Sequence, residues 1–214
     1  MNRKTTLNDV IDIYGERTPG AAGKHKYFSV LVPLVEKDGQ LHLLYELRAA
    51  HMKRQPGEIC FPGGKVEPGE SLQQCAVRET VEELGIREDD IQVINQMDVM
   101  HTYSNFTLFP FLGTIKAEAL DRLGCNPDEV EEVFLVPLDH LMENDPFLYK
   151  MQIAPIIKED FPYQKIRFPK TYNWRKGTND IPIYEYENRI IWGLTGRVTM
   201  NLIEVLKGRE DRNV

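Results

Sequence analysis

Apolar residues run almost unbroken over residues 27–35, the pattern of a strand buried on both faces. Lys37-Asp38-Gly39-Gln40 follows, and an Asp-Gly pair between strand-like runs predicts a tight hairpin turn. Residues 42–47 then form the returning strand. Residues 91–100 and 106–115 alternate enough to predict two more strands, joined by the polar turn His101-Thr102-Tyr103-Ser104-Asn105. Residues 126–138 read as an acidic turn and a strand, and a helix begins over 138–143. Helical spacing marks three further places. Val10, Ile11 and Tyr14 predict a short helix over 7–14. Val77, Val81 and Leu84 give a core face to a helix ending at Leu84. Val198, Leu202, Val205 and Leu206 form the stripe of a last helix running to about Lys207. Ser71 and Gln74 have the spacing of a capping box for the second helix, and Gly85 suits its C-terminal cap. Thr18-Pro19-Gly20-Ala21-Ala22-Gly23 reads as a linker. Residues 145–183 are rich in aromatics and proline with little periodicity. They predict a hairpin-like insertion, held to a sheet edge by its prolines, that walls the substrate cleft.

Composition narrows the class. The 214 residues are 42% hydrophobic and 28% charged, ordinary for a globular enzyme. A net charge of −7 argues against non-specific nucleic-acid binding, which needs a basic surface. Cys60, Cys75 and Cys125 are odd in number and make no C-x-x-C pair, so reduced, mostly buried thiols and a cytoplasmic setting are expected. No apolar run approaches the ~20 residues of a membrane span. The first ten residues lack the apolar core of a signal peptide, which leaves the Asn105-Phe106-Thr107 sequon idle. Residues 211–214 carry no targeting address. One domain over 23–209, preceded by a helix and linker over 1–22, accounts for the chain without an internal repeat.

The chemistry concentrates between Phe61 and Ile86. Phe61-Pro62-Gly63-Gly64 and Glu67-Pro68-Gly69-Glu70 must be loop, because glycine permits backbone angles closed to other residues and proline breaks a ladder. On the helix that follows, Glu79, Glu82 and Glu83 share an arc about 100° wide. Like charges one turn apart cost a helix about 0.2–0.5 kcal/mol per pair, and a divalent cation with oxygen ligands compensates them. Arg78 projects about 100° from Glu79, which suits a structural ion pair with Glu70. An acidic arc alone is usually a solvated face; the spacing around it decides otherwise. Gly64, five residues, Glu70, seven residues, Arg78-Glu79, two residues, Glu82-Glu83, one residue, Gly85-Ile86 resembles a complete Nudix box. Thr80 alone departs, standing where that family usually has an aliphatic residue or alanine. The resemblance implies a Nudix α/β/α sandwich, a mixed sheet between the residue 71–84 helix and the C-terminal helix. It also implies Mg²⁺ or Mn²⁺ on Glu79 and Glu83, with Glu82 as a further ligand or acting through water, and a backbone carbonyl near Gly63 or Gly64. Glu79 and Glu82 are the expected catalytic groups. The general base stays open among Glu82, Glu129, Glu131 and Glu132. The five histidines form no ligand spacing, and Gly63-Gly64-Lys65 lacks the flanking residues of a P-loop.

Upstream of the box, Arg48, Lys53 and Arg54 put three cations within seven residues of an acidic chain. Such a loop, leading into a metal-binding turn, can grip phosphates from the opposite side. Arg48-Ala49, Gly57 and Phe61-Pro62-Gly63-Gly64 resemble the signature of coenzyme A pyrophosphatases, as does Trp192-Gly193-Leu194-Thr195 entering the last helix. Two positions depart: Lys53 replaces an arginine, keeping the charge but losing the bidentate fork, and Leu44-Tyr45-Glu46 replaces Leu-Leu-Thr. The resemblance implies hydrolysis of coenzyme A or its thioesters to 3′,5′-ADP and 4′-phosphopantetheine or its acyl form. Arg48, Lys53, Arg54, Gly57 and Gly64 are the implied substrate-binding residues. The expected partner is a small nucleotide-like molecule, with neither nucleic acid nor membrane, and the chain a monomer or homodimer. Hydrolysis of ADP-ribose or another nucleoside diphosphate derivative is the alternative on the same scaffold. A non-catalytic Nudix binding module is the alternative of a different class, disfavoured because every acid of the box is present.

Overall fold

The Asp38-Gly39 turn seeds the sheet. Both residues take positive φ, 54° and 74°, the combination that matches the right-handed twist of the strands it joins. The structure, a computed structural model, describes residues 5–18, 22–23 and 25–208. Most of the expected linker, Pro19 to Ala21, and the expected domain end at residue 209 lie outside them. In chain order the elements are α1 (Leu7–Gly15), β1 (Lys26–Lys37), β2 (Gln40–Arg48), β3 (Ile59–Cys60), β4 (Gly63–Lys65) and α2 (Leu72–Leu84). After a 3-10 turn at Glu88–Asp90 come β5 (Ile91–Gln96), β6 (Met100–His101), β7 (Phe106–Ile115), α3 (Ala117–Leu120), β8 (Val130–Pro137) and α4 (Leu138–Glu143). The last elements among the described residues are β9 (Phe147–Ile153), α5 (Tyr163–Ile166), β10 (Gly177–Tyr186), β11 (Arg189–Trp192) and α6 (Gly193–Leu206).

Strands β1 to β8 form one mixed sheet along the path β3-β2-β1-β7-β5, with β4 on β1, β6 on β7 and β8 on β2. β1 runs parallel to β7 from Lys26 opposite Phe106 to Leu34 opposite Thr114, and the other pairings of this sheet are antiparallel. Side-chain alternation sorts β1 and β2 between two cores. Leu31, Val35 and Leu44 join Ala76 and Leu84 of α2 on one face. Val32, Leu43 and Tyr45 join Val198, Leu202 and Ile203 of α6 on the other. This is the expected sandwich, the two helices covering opposite faces of a mixed sheet.

Two expectations are corrected. Val77 and Val81 are only half-buried, and the buried side of α2 is Cys75, Ala76, Thr80, Glu83 and Leu84. The helix meets the sheet through small side chains, and Thr80 joins them because its hydroxyl donates to the Ala76 carbonyl at 2.7 Å. The 145–183 segment does contain a hairpin: β9 pairs with β10 from Phe147 opposite Ile183 to Ile153 opposite Gly177. That hairpin belongs to a separate three-stranded sheet, β11-β10-β9, and contributes no side chain to the main cleft. The wall comes instead from Trp192 to Thr195, where β11 passes into α6.

Candidate active site

A cleft of about 950 Å³ opens where β4, the end of β2, the start of β7 and the N-terminus of α6 meet, within the usual range for small-molecule sites. Its acidic wall is α2. Ser71 caps that helix, its hydroxyl accepting from the Gln74 amide at 3.2 Å while the Gln74 side chain accepts from the Ser71 amide at 2.8 Å. Gly85 ends it in the left-handed conformation, φ 64°. Glu83, 3% exposed, accepts a hydrogen bond from the Gly63 amide at 2.7 Å. Glu79 lies so close to Gly64 that any Cβ there would overlap its carboxylate. The glycine is thus what lets the loop and the carboxylate share this space.

Arg78 fastens loop to helix. Its Nε and Nη2 each donate to Glu70 at 3.0 Å, as the sequence suggests. It also reaches Glu79 at 2.8 Å and Glu82 at 3.2 Å, so the separation expected between Arg78 and Glu79 does not hold; the long side chain curls back across the turn. The guanidinium and the Glu67 amide hold the Glu70 carboxyl down to about 2.

Four carboxylates crowd this region. Burial pushes Glu83 up, and the charges of Glu46, Glu79 and Glu129 push the same way against the Gly63 amide. Burial raises Glu46 too, against Cys60 and Arg48, with Glu129 adding to the rise. Glu79 is raised by burial against Arg78. Glu46 is 1% exposed; its Oε1 accepts from the Cys60 thiol at 3.2 Å, and its Oε2 has no partner. Burial also pushes the Cys75 thiol up to about 12, and all three cysteines are unpaired. Among the described residues no three Asp, Glu, His or Cys side chains converge as they stand on one ion; Glu83 is turned to Gly63 and Glu79 to Arg78. The donor set fits a hard divalent cation nonetheless. It is made of carboxylate oxygens, mutually repelling and half-sequestered, beside a glycine cradle that any larger residue would fill.

The same cleft is also basic. Arg48 and Arg54 line the cleft with Lys26 and Lys65. Arg48 Nε is buried without a partner, and among the described residues none of these four cations is in an ion pair. The structure therefore brings Glu79, Glu83, Gly64, Arg48 and Arg54 together, and leaves Glu82, Lys53 and Gly57 outside. Glu82 faces a shallow outer groove with Glu70 and Arg78. Gly57 shapes the loop, its amide donating to the Arg48 carbonyl at 3.1 Å. Of the base candidates outside the box, Glu129 lines the cleft, whereas Glu131 and Glu132 are exposed and Glu132 pairs with Arg189. Lys26, Lys65 and Glu46 escape the sequence reading. Glu46 had a signal: an acid inside the apolar run of β2.

The α6 entry is tied down by hydrogen bonds. Thr195 Oγ1 donates to the Ile59 carbonyl at 3.0 Å, and Tyr45 OH pairs with Thr199 Oγ1 at 2.9 Å. No helix among the described residues is long and apolar enough to cross a membrane.

Comparison with known proteins agrees with this geometry. The NUDIX domain profile matches residues 25–158. Nudix hydrolase 3 of Caenorhabditis elegans is 32% identical over 170 residues, 78% of this chain and 68% of that protein. The peroxisomal coenzyme A diphosphatase NUDT7 of Mus musculus is 38% identical over 129 residues, 59% of this chain but only 53% of its own length. The mitochondrial coenzyme A diphosphatase NUDT8 of Homo sapiens is 29% identical over 180 residues, 83% of this chain and 68% of that protein. A relative 32% identical over 78% of this chain and 68% of its own length, with a profile that covers most of the chain, carries the box from resemblance to membership: this chain belongs to the Nudix hydrolase family and is a pyrophosphatase.

Proposed function

We propose that the chain hydrolyses the pyrophosphate bond of coenzyme A or its thioesters, giving 3′,5′-ADP and 4′-phosphopantetheine or its acyl form. The observation that carries this reading is a cleft lined both by carboxylates and by four cations in no ion pair among the described residues. Coenzyme A brings a pyrophosphate and a separate 3′-phosphate, and so needs cations beyond those facing the scissile bond. Two of the relatives are named coenzyme A diphosphatases, which supports the same substrate class. Glu79 and Glu83 would hold Mg²⁺ or Mn²⁺, with Glu82 a more distant contributor across the helix. When bound, such an ion neutralises the phosphate charge and supplies Lewis acidity.

The chain's own residues do the rest. Arg48 and Arg54 hold phosphate oxygens with planar donors, while Lys26 and Lys65 add point charges. Glu129, anchored by the Asn126 side chain at 3.0 Å, accepts a proton from the attacking water. The water oxygen bonds to one phosphorus, the bridging P–O bond breaks, and the departing phosphate keeps the electron pair. Unpaired thiols at Cys60, Cys75 and Cys125 suit a reducing cytoplasmic compartment.

The test is a substrate panel with Mg²⁺ or Mn²⁺: coenzyme A, an acyl thioester, 3′-dephospho-coenzyme A and ADP-ribose, with products identified by mass. Coenzyme A or its thioester is expected to give the highest kcat/KM. A preference for ADP-ribose would leave the pyrophosphatase standing and remove the substrate assignment.

A further inference from the structure

The segment from Phe147 to Lys176 differs from the rest of the molecule. It holds seven cations and two acids, Glu159 and Asp160, in a chain whose total charge is −7. Lys150 stands on β9, and Lys158, Lys165, Arg167, Lys170, Arg175 and Lys176 follow in the loop to β10. All seven are exposed, and among the described residues none is in an ion pair. Large apolar side chains stand out between them: Phe147 is 67% exposed, Tyr149 55%, Phe168 52% and Ile156 95%, with Leu148 and Ile166 also uncovered. Singly exposed apolar residues are normal; this density on one insertion is not.

The insertion is also built. Edge-to-face contacts run from Tyr163 to Phe161, on to Trp174, Tyr172 and Phe168, with ring centroids 4.8–5.3 Å apart. Those ring contacts brace the loop across residues 161–174, with Phe168 and Tyr172 at the exposed end of the chain of rings. β9 is an edge strand of its sheet, so its outer backbone edge is unpaired among the described residues. The insertion contributes no side chain to the cleft.

We propose that this insertion docks the enzyme on an anionic lipid surface. Both halves of the patch are then satisfied: Lys and Arg are drawn to the negative headgroups, and the aliphatic and aromatic groups enter the headgroup–acyl boundary. Nucleic acid would engage the cations and rings but leave Ile156, Leu148 and Ile166 in water. A symmetric contact with a second copy would set the seven cations against the same seven. The rest of the chain carries the negative charge and is repelled by the same surface, which orients the insertion towards it. No helix among the described residues can span a membrane; the contact proposed is peripheral.

The full chain is mixed with vesicles of phosphatidylcholine, with and without phosphatidylserine, and the sedimenting fraction is measured at low and high salt. Binding is expected only to the serine-lipid vesicles, with release at high salt. Lys165→Glu/Arg167→Glu/Lys170→Glu is expected to weaken it at least about 100-fold, from the attraction of each cation near such a surface. Ile156→Ser/Phe168→Ser is expected to weaken it as well, while wild-type hydrolysis rates show that both variants are folded. No binding at low salt, equal binding to neutral vesicles, or wild-type binding by the triple variant would overturn the proposal. So would preferential binding of a single-stranded oligonucleotide, or a dimer that the triple variant dissolves.

Discussion

Glu83 is the residue on which the proposed chemistry most depends, because it is buried, tied to the Gly63 amide and surrounded by like charge. Glu83→Gln keeps the shape and removes the charge. Turnover is expected to fall at least about 100-fold, the low end for a positioned catalytic group, with folding intact; near-normal steady-state turnover would remove Glu83 from the machinery. The same environment sets a pH dependence. A carboxyl raised in the folded state binds its proton more tightly there than in the unfolded chain. It therefore favours folding at acid pH and loses that contribution as pH rises from the ordinary 4.5 through the folded value. Metal-free protein should lose melting temperature as pH increases above 4.5, and Glu83→Gln should flatten the curve. Glu70 is lowered instead, so its contribution is complete above 4.5 and fades only in stronger acid. Of the cations, Arg54 lines the cleft and Lys53 does not. Arg54→Ala should reduce kcat/KM for coenzyme A by about tenfold to a hundredfold, since a charge-assisted hydrogen bond is worth about 1.5–3 kcal/mol. A larger loss on coenzyme A than on 3′-dephospho-coenzyme A would locate that contact at the 3′-phosphate, and an equal loss at the pyrophosphate. Lys53→Ala should do little to either.

At the scale of elements, the contact between α2 and β4 decides whether the acids stand in place. Gly64→Ala would drive a methyl group into the Glu79 carboxylate, so the variant should lose activity well beyond any loss of stability. Equal activity, with thermal melting as control, would show that the two elements separate freely. This contact also explains what could be read in advance. The Asp38-Gly39 turn, the Ser71 cap and the Gly85 terminus are local, determined by a few adjacent residues, and they were legible. Val77 and Val81 were not, because the hydrophobic-face rule assumes that the widest apolar face meets the core. Here the helix presses small residues against the sheet and buries Glu83 for the site. Lys26 and Lys65 were hidden because a parallel β1–β7 pair and an antiparallel β1–β4 pair place them at the cleft, and such pairings are long-range. The α6 entry was legible only as a motif; its reason is Thr195 holding the β3 carbonyl.

For the molecule as a whole, the cleft is a site prepared at a cost to stability. Three raised carboxylates and an unpartnered oxygen on Glu46 are unfavourable in the metal-free fold, and a ligand that binds only the folded state repays that cost by mass action. Mg²⁺ or Mn²⁺ at about a hundred times its Kd should add about 2.7 kcal/mol. In a chain of this length each kcal/mol shifts melting by roughly 2–4 °C, so a rise of about 5–10 °C is expected without any substrate. Glu83→Gln should abolish most of that rise while melting no lower than wild type in chelator, since it also relieves repulsion among the acids. Arg54→Ala should keep the rise, because Arg54 lines the cleft and is not among the carboxylates proposed to hold the ion. Melting curves in chelator and in each divalent ion check all three outcomes. A wild-type protein indifferent to both ions, or a Glu83→Gln variant stabilised as strongly as wild type, would show that these carboxylates do not form the ion site.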